Sequence, residues 1–206
     1  MATTDTPDLP VVLTIAGSDS GGGAGIQADL KTFHAFGTFG TSAVTAITVQ
    51  NTRGVFGVHA IPVQMVRDQI RVVVDDLAPR AAKTGMLATR ELVEAVAESV
   101  QAYGIPELVV DPVMVATSGD RLLDEDAVAA VRERLLPLAR VVTPNTHEAA
   151  LLTGGAVETV DDLARAGHAL VEAGAAAALI KGGHLEGDQV VDVLVTPRGE
   201  RRWTHP

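Results

Sequence analysis

Cysteine is absent from the 206 residues, and large aromatic residues are few: one Trp, one Tyr and four Phe. The first absence excludes a disulfide framework and any thiolate metal centre, and predicts a soluble protein of the reducing cytoplasm. The second leaves the core to Val, Leu, Ile and Ala, which make up most of an apolar content of 47%. Positive charge is also short. Sixteen Lys and Arg stand against 26 Asp and Glu, a net charge of −10 with no local basic cluster, which argues against nucleic-acid binding. No apolar run is long enough to cross a bilayer, and the first thirty residues carry no signal-peptide pattern, so no membrane partner is expected. No Gly-Lys pair occurs anywhere, which excludes the P-loop.

What is present is an alternation of short apolar runs with amphipathic stretches, in a chain of the length of one domain. Met1 to Pro10 reads as a flexible tail and residues 11–206 as a single domain. Val11 to Ala16 predicts a strand, and Ile26, Leu30 and Phe33 the helix after it. Helices follow Pro62 (Val66, Ile70, Val73, Val74, Leu77), Thr89 (Leu92, Val93, Val96, Val100), Asp124 (Val128, Val131, Leu135) and Thr159 (Leu163, Ala166, Leu170). Between them lie strands at Leu108 to Val110, Val141-Val142 and Ala177 to Ile180. The pattern predicts an α/β fold, a mostly parallel sheet with helices on both faces. Residues 189–204 read instead as an antiparallel edge hairpin, and Gly54 to Ile61 as a strand outside the parallel run.

Between the first strand and helix runs a turn rich in glycine, 17, 21, 22, 23 and 25, followed by Asp29 one helical turn on. Such glycines allow positive φ and close approach to a ligand, and the helix start directs its N–H groups toward the same space. Gly23 to Ala28 satisfies G-x-G-x-x-A. Thr48-Val49-Gln50, however, stand where a dinucleotide site would place an acid for the ribose. Polar residues recur after the apolar runs at 17–20, 50–51, 83–86, 111–113, 143–148 and 181–184. Lys, Asp and Glu gathered there predict a phosphate centre with Mg²⁺. The six histidines have no metal-ligand spacing and are assigned no chemistry.

Five segments, 16–33, Lys83-Thr-Gly-Met-Leu87, Asp111-Pro-Val-Met114, Thr143-Pro-Asn-Thr-His-Glu-Ala149 and Lys181-Gly-Gly-His184, resemble the hydroxymethylpyrimidine/phosphomethylpyrimidine kinases of thiamine biosynthesis, in the ribokinase superfamily. The resemblance spans nearly the whole chain. It implies an ATP-dependent kinase acting on 4-amino-5-hydroxymethyl-2-methylpyrimidine and then on the monophosphate, and a homodimer. The pyrimidine would lie against Gly17, Asp29, Gln50, Met86 and Val113. Asn145 and Glu148 match an Asn-x-x-Glu motif that places Mg²⁺ and phosphate, with Asp111 on the same rim and both acids acting on the ion indirectly. Lys181 would contact the transferred phosphate, and Thr117 and Ser118 match a loop near the nucleotide phosphates. Independently of the family, a Gln amide at 50 can read an aminopyrimidine edge as Gln and Asn read adenine.

Family members continue into a Gly-Thr-Gly turn that carries the anion hole and the catalytic base. No such turn occurs in the 206 residues, so the base and the C-terminal part of the family fold are expected to lie outside this sequence. Two other readings remain open: a pyridoxal kinase of the same superfamily, and a non-catalytic pyrimidine-binding homologue.

Overall fold

The strands form where branched and small apolar residues run together between turn signals, and eight of them join in one sheet. The computed structural model describes residues 9–114, 125–185 and 189–205. In chain order the elements are β1 (Val11–Ala16), α1 (Gly25–Ala35), β2 (Phe39–Val44), β3 (Ala46–Asn51), β4 (Gly54–Ala60), α2 (Val63–Leu77), β5 (Ala81–Thr84), α3 (Arg90–Ala102), β6 (Leu108–Val110) and α4 (Glu125–Ala130). There follow β7 (Ala139–Val142), α5 (Thr146–Thr153), α6 (Val160–Glu172), β8 (Ala178–Ile180), β9 (Val190–Thr196) and β10 (Gly199–His205).

The sheet order is β10-β9-β8-β7-β6-β5-β1-β2. Pairing is parallel from β2 to β8 and antiparallel at β8–β9 and β9–β10, so the expected edge hairpin is present. β3 and β4 form a separate two-stranded flap, with a register shift between Val49 and Gln50. β2, β3, β5 and α5 carry no clear periodic signal and are additions to the elements expected from the sequence. Gln50 therefore stands on the flap, not at the end of a main-sheet strand as the pattern of polar residues suggested.

Helix starts follow local chemistry. Thr89 caps α3 by accepting from the Leu92 N–H, and Thr159 caps α6 with Asp162 returning the bond. α2 begins just after Pro62 and ends at Ala78 in the left-handed region. The stretch after Asp124 opens as α4 but widens into a π-helical turn at Val131–Leu135, then tightens into a 3-10 turn containing Pro137, which has no N–H to continue the ladder. α2, α3 and α4 pack in sequence, α1 lies on β1 and β2, and α6 lies on β8 and β9. Leu13, Ile15, Leu108, Val110, Val142 and Ile180 are fully buried along the strands. Each contributes about 1.5–3 kcal/mol by leaving water. No described helix is long and apolar enough to cross a membrane.

Candidate active site

β1 is followed in the chain by β2 on one flank, while β5 occupies the other. The strand order thus reverses beside β1, and at that reversal the carboxyl ends of an open α/β sheet leave a crevice. A cavity of about 310 Å³ fills it, lined by Gly17, Asp29, Thr48, Gln50, Lys83, Met86, Asp111 and Val113 among others. All five residues expected around the pyrimidine are therefore in one wall system, together with Asp111. Met86 occupies the space above Gly17, where a Cβ would stand 2.8 Å from its Cε. A larger opening of about 420 Å³ lies between the glycine-rich turn and the flap tip, lined by residues 50–55. It shares Asp19 and Gln50 but contains none of the lysine–aspartate pairs below.

The glycine-rich turn is held from two sides. Ser18 donates its N–H to the Ala46 carbonyl and its Oγ accepts from the Thr48 N–H, while Thr48 Oγ1 donates back to the Ser18 carbonyl. Ser20 Oγ accepts from the Gln50 N–H and donates to the Gln50 carbonyl. The turn thereby runs along β3 like a third strand of the flap. The alternation of β3 then puts Ala46, Thr48 and Gln50 on the side facing the turn. The register shift at Val49/Gln50 is the kind of irregularity that re-aims a side chain.

Asp19 closes the turn on itself. Its carboxylate accepts from the N–H groups of Gly21, Gly23 and Ala24, and its own N–H donates to Gln27 Oε1. Burial alone would raise this carboxyl, but the amides of Gly21 to Ala24 outweigh it and hold it below the usual carboxylate range. Ile26 N–H goes to the Gly17 carbonyl. Several donors expected to face a ligand are consequently satisfied within the protein, by the Asp19 carboxylate. Positive φ occurs at Gly22 and Gly25 only within this turn, and a Cβ on Gly25 would stand 2.4 Å from the Gly17 carbonyl oxygen. The glycines serve the turn's own close packing.

A line of alternating charge crosses the rim. Thr14 and Lys83 are register partners on β1 and β5. Thr14 Oγ1 donates to Asp29 Oδ2 at 2.6 Å and Lys83 Nζ lies 3.1 Å from Asp29 Oδ1. Lys83 Nζ is also 3.3 Å from Asp111 Oδ2, and Lys181 Nζ is 3.3 Å from Asp111 Oδ1. Asp29, Lys83, Asp111 and Lys181 therefore form one chain of carboxylate, ammonium, carboxylate, ammonium. Sequence reasoning gave roles to Asp29, Asp111 and Lys181; it set Lys83 among the polar residues of the rim but gave it none.

Beyond Lys181 the rim continues to α5. Asn145 pairs with Lys181 as a parallel bridge, and the Lys181 N–H donates to the Pro144 carbonyl. Asn145 Oδ1 accepts from the Glu148 N–H, and Glu148 Oε2 accepts from the Asn145 N–H: the Asn-x-x-Glu motif is first a capping box. Burial pushes the Glu148 carboxyl up, with Asp111 adding to the rise, against the Asn145 and Met114 amides and Lys181. His147 and His184 meet edge to face at 5.3 Å outside the cavity. Thr117 and Ser118 lie outside the described residues. Among the described residues no cluster of three or more metal-ligating side chains occurs.

A doubly wound sheet, a small cavity at its reversal point and a rim of paired lysines and aspartates suit phosphate chemistry on a small molecule, and the solved structures the chain superposes on are small-molecule kinases. The sequence model of phosphomethylpyrimidine kinase matches residues 19–206, and the chain belongs to that family. It is 55% identical over 203 residues to the hydroxymethylpyrimidine/phosphomethylpyrimidine kinase of Streptomyces coelicolor, covering 98% of this chain and 74% of that one. The crystal structure of phosphomethylpyrimidine kinase from Clostridium difficile superposes with a TM-score of 0.88 at 46% identity, covering 94% of this chain and 84% of that one. An ADP complex of Bacillus subtilis pyridoxal kinase also gives a TM-score of 0.88, at 38% identity, covering 96% and 75%.

Proposed function

We propose that this chain uses ATP to phosphorylate 4-amino-5-hydroxymethyl-2-methylpyrimidine and then its monophosphate, giving the pyrimidine diphosphate for thiamine biosynthesis. The names carried by its relatives support the reaction, and the ADP-bound neighbour supports the phosphate donor. Gln50 carries the choice of ring. It lines the cavity, its backbone is tied to Ser20, and its side-chain amide makes no hydrogen bond among the described residues. That leaves one donor and one acceptor for an exocyclic amine and the adjacent ring nitrogen. Met86 and Val113 supply apolar contact to the ring, Gly17 the close backbone approach, and Asp29 an acceptor.

Phosphoryl transfer asks the protein chiefly to align groups and to balance charge. Lys181, with a side chain 43% exposed and paired with Asp111, would meet the transferred phosphate. Asn145 spends Oδ1 on its cap and keeps Nδ2 for a phosphate oxygen. Thr117 and Ser118 complete the nucleotide side in this proposal.

Mg²⁺ takes oxygen ligands and keeps much of its water. Asp111, an oxygen donor on the rim beside both lysines, fits such an ion held through water. Glu148, already accepting from Asn145, would act only at one remove. Bound there, the ion would neutralise charge on the nucleotide phosphates.

We place the reaction in the cytoplasm, where ATP is supplied. Homodimer contact is assigned to the flap, where Ile47, Val49, Phe56 and Val58 are exposed together. A monomer by sedimentation would contradict the dimer.

ATP-dependent product formation by the complete gene product, which would carry the catalytic base expected outside these residues, with the pyrimidine alcohol, its monophosphate or pyridoxal tests the assignment. Turnover of both pyrimidines in preference to pyridoxal is expected. Preference for pyridoxal would reassign the pocket, and tight pyrimidine binding with no turnover would favour a binding role. Lys181→Ala should lower turnover by about a hundredfold or more, the scale of losing one preorganised contact to developing charge.

A further inference from the structure

The cavity has to accept two ligands of opposite demand. The pyrimidine alcohol is neutral, whereas its monophosphate brings a dianion into a space bordered by Asp29 and Asp111. Two carboxylates facing a phosphate would reject it unless a cation stands between them. Lys83 stands there. Its side chain is 20% exposed, it lines the cavity, and its ammonium lies 3.1 Å from Asp29 and 3.3 Å from Asp111. Lys181 lies on the far side of Asp111 and does not line this cavity.

We propose that Lys83 is the specificity-determining residue for the second ligand: it receives the phosphate of the pyrimidine monophosphate, and so lets one pocket serve both steps. This rests on the pyrimidine reading of the pocket. An ammonium has three N–H donors; Lys83 donates to Asp29 and pairs with Asp111 by charge at 3.3 Å, which leaves N–H donors for a phosphate oxygen without either carboxylate losing its partner. With the neutral alcohol bound, Lys83 keeps only its two carboxylates, so its charge contributes little to that affinity. A purely structural clamp would instead affect both ligands alike, because both use the same walls.

The test is titration calorimetry of the intact chain with the pyrimidine alcohol and with its monophosphate. Unaltered protein, Lys83→Met and Lys83→Arg are compared. Lys83→Met should weaken the monophosphate by roughly tenfold to a hundredfold more than the alcohol, the scale of a charge-assisted hydrogen bond. Lys83→Arg should restore most of that difference. Lys83→Gln keeps a donor for the two carboxylates without the charge, and should show the same contrast if the Met variant fails to fold. Equal weakening of both ligands, or no weakening of the monophosphate, would overturn the proposal. Failure of the unaltered chain to bind either pyrimidine would overturn the reading of the pocket beneath it. Monophosphate binding that is lost selectively cannot arise from that second failure.

Discussion

Thr14 and Lys83 sit side by side in register on β1 and β5 and grip the same carboxylate, Asp29, from two directions. Thr14 is fully buried, so its hydroxyl has Asp29 and no water to bond. Thr14→Val keeps the shape but removes that donor from Asp29. Stability should fall by about 1.5–3 kcal/mol, the scale of one hydrogen bond to a charged group. Denaturant unfolding measures it, and an unchanged midpoint would show that Asp29 is held by Lys83 alone.

The carboxylate of Asp19 should make the glycine-rich turn sensitive to acid. Its folded pKa is lowered, so its contribution is fully present above the ordinary aspartate range and is lost as pH falls through the folded value. Asp19→Asn offers one acceptor oxygen to three N–H groups. The variant should be less stable near neutrality, and the difference from the unaltered protein should shrink on acidification. A difference constant from neutral pH to well below the aspartate range would contradict a charged carboxylate in the turn.

Glu148 has the opposite sign. Its raised pKa means that the folded chain holds the proton more tightly than the unfolded chain, so stability falls as pH rises from the ordinary glutamate range through the raised value. Glu148→Gln can still accept from the Asn145 N–H, and should remove that fall while keeping α5. Parallel stability curves for the two proteins across this window would assign Glu148 an ordinary carboxyl.

Much of this was visible in the residues. The apolar runs of β1, β6 and β8 end in the polar residues that build the rim, and the 190–204 segment declares its hairpin by alternation around Thr196-Pro-Arg-Gly. β2, Phe-Gly-Thr-Ser-Ala-Val, is small and mixed, as an edge strand can be, and gives no period. α5 buries Thr146, Glu148, Ala149 and Leu152 together, so it lacks a polar face to reveal it. Lys83 did leave a signal: a lysine in the strand Ala-Ala-Lys-Thr is out of place in a parallel sheet unless paired. The role of Asp19 was hidden because three of its partners are backbone amides, which have no letter in a sequence.

The pairing of the Gln50 amide with an aminopyrimidine edge is the point on which the pocket's identity turns. Titration calorimetry with 4-amino-5-hydroxymethyl-2-methylpyrimidine and with pyridoxal, on the unaltered chain and on Gln50→Leu, measures it most directly. The unaltered chain should bind the pyrimidine more tightly, because the other ring would cover the Gln50 amide without pairing it, at about 1–3 kcal/mol. Gln50→Leu should narrow that gap. Tighter binding of pyridoxal by the unaltered chain, or a gap that Gln50→Leu leaves intact, would contradict the assignment.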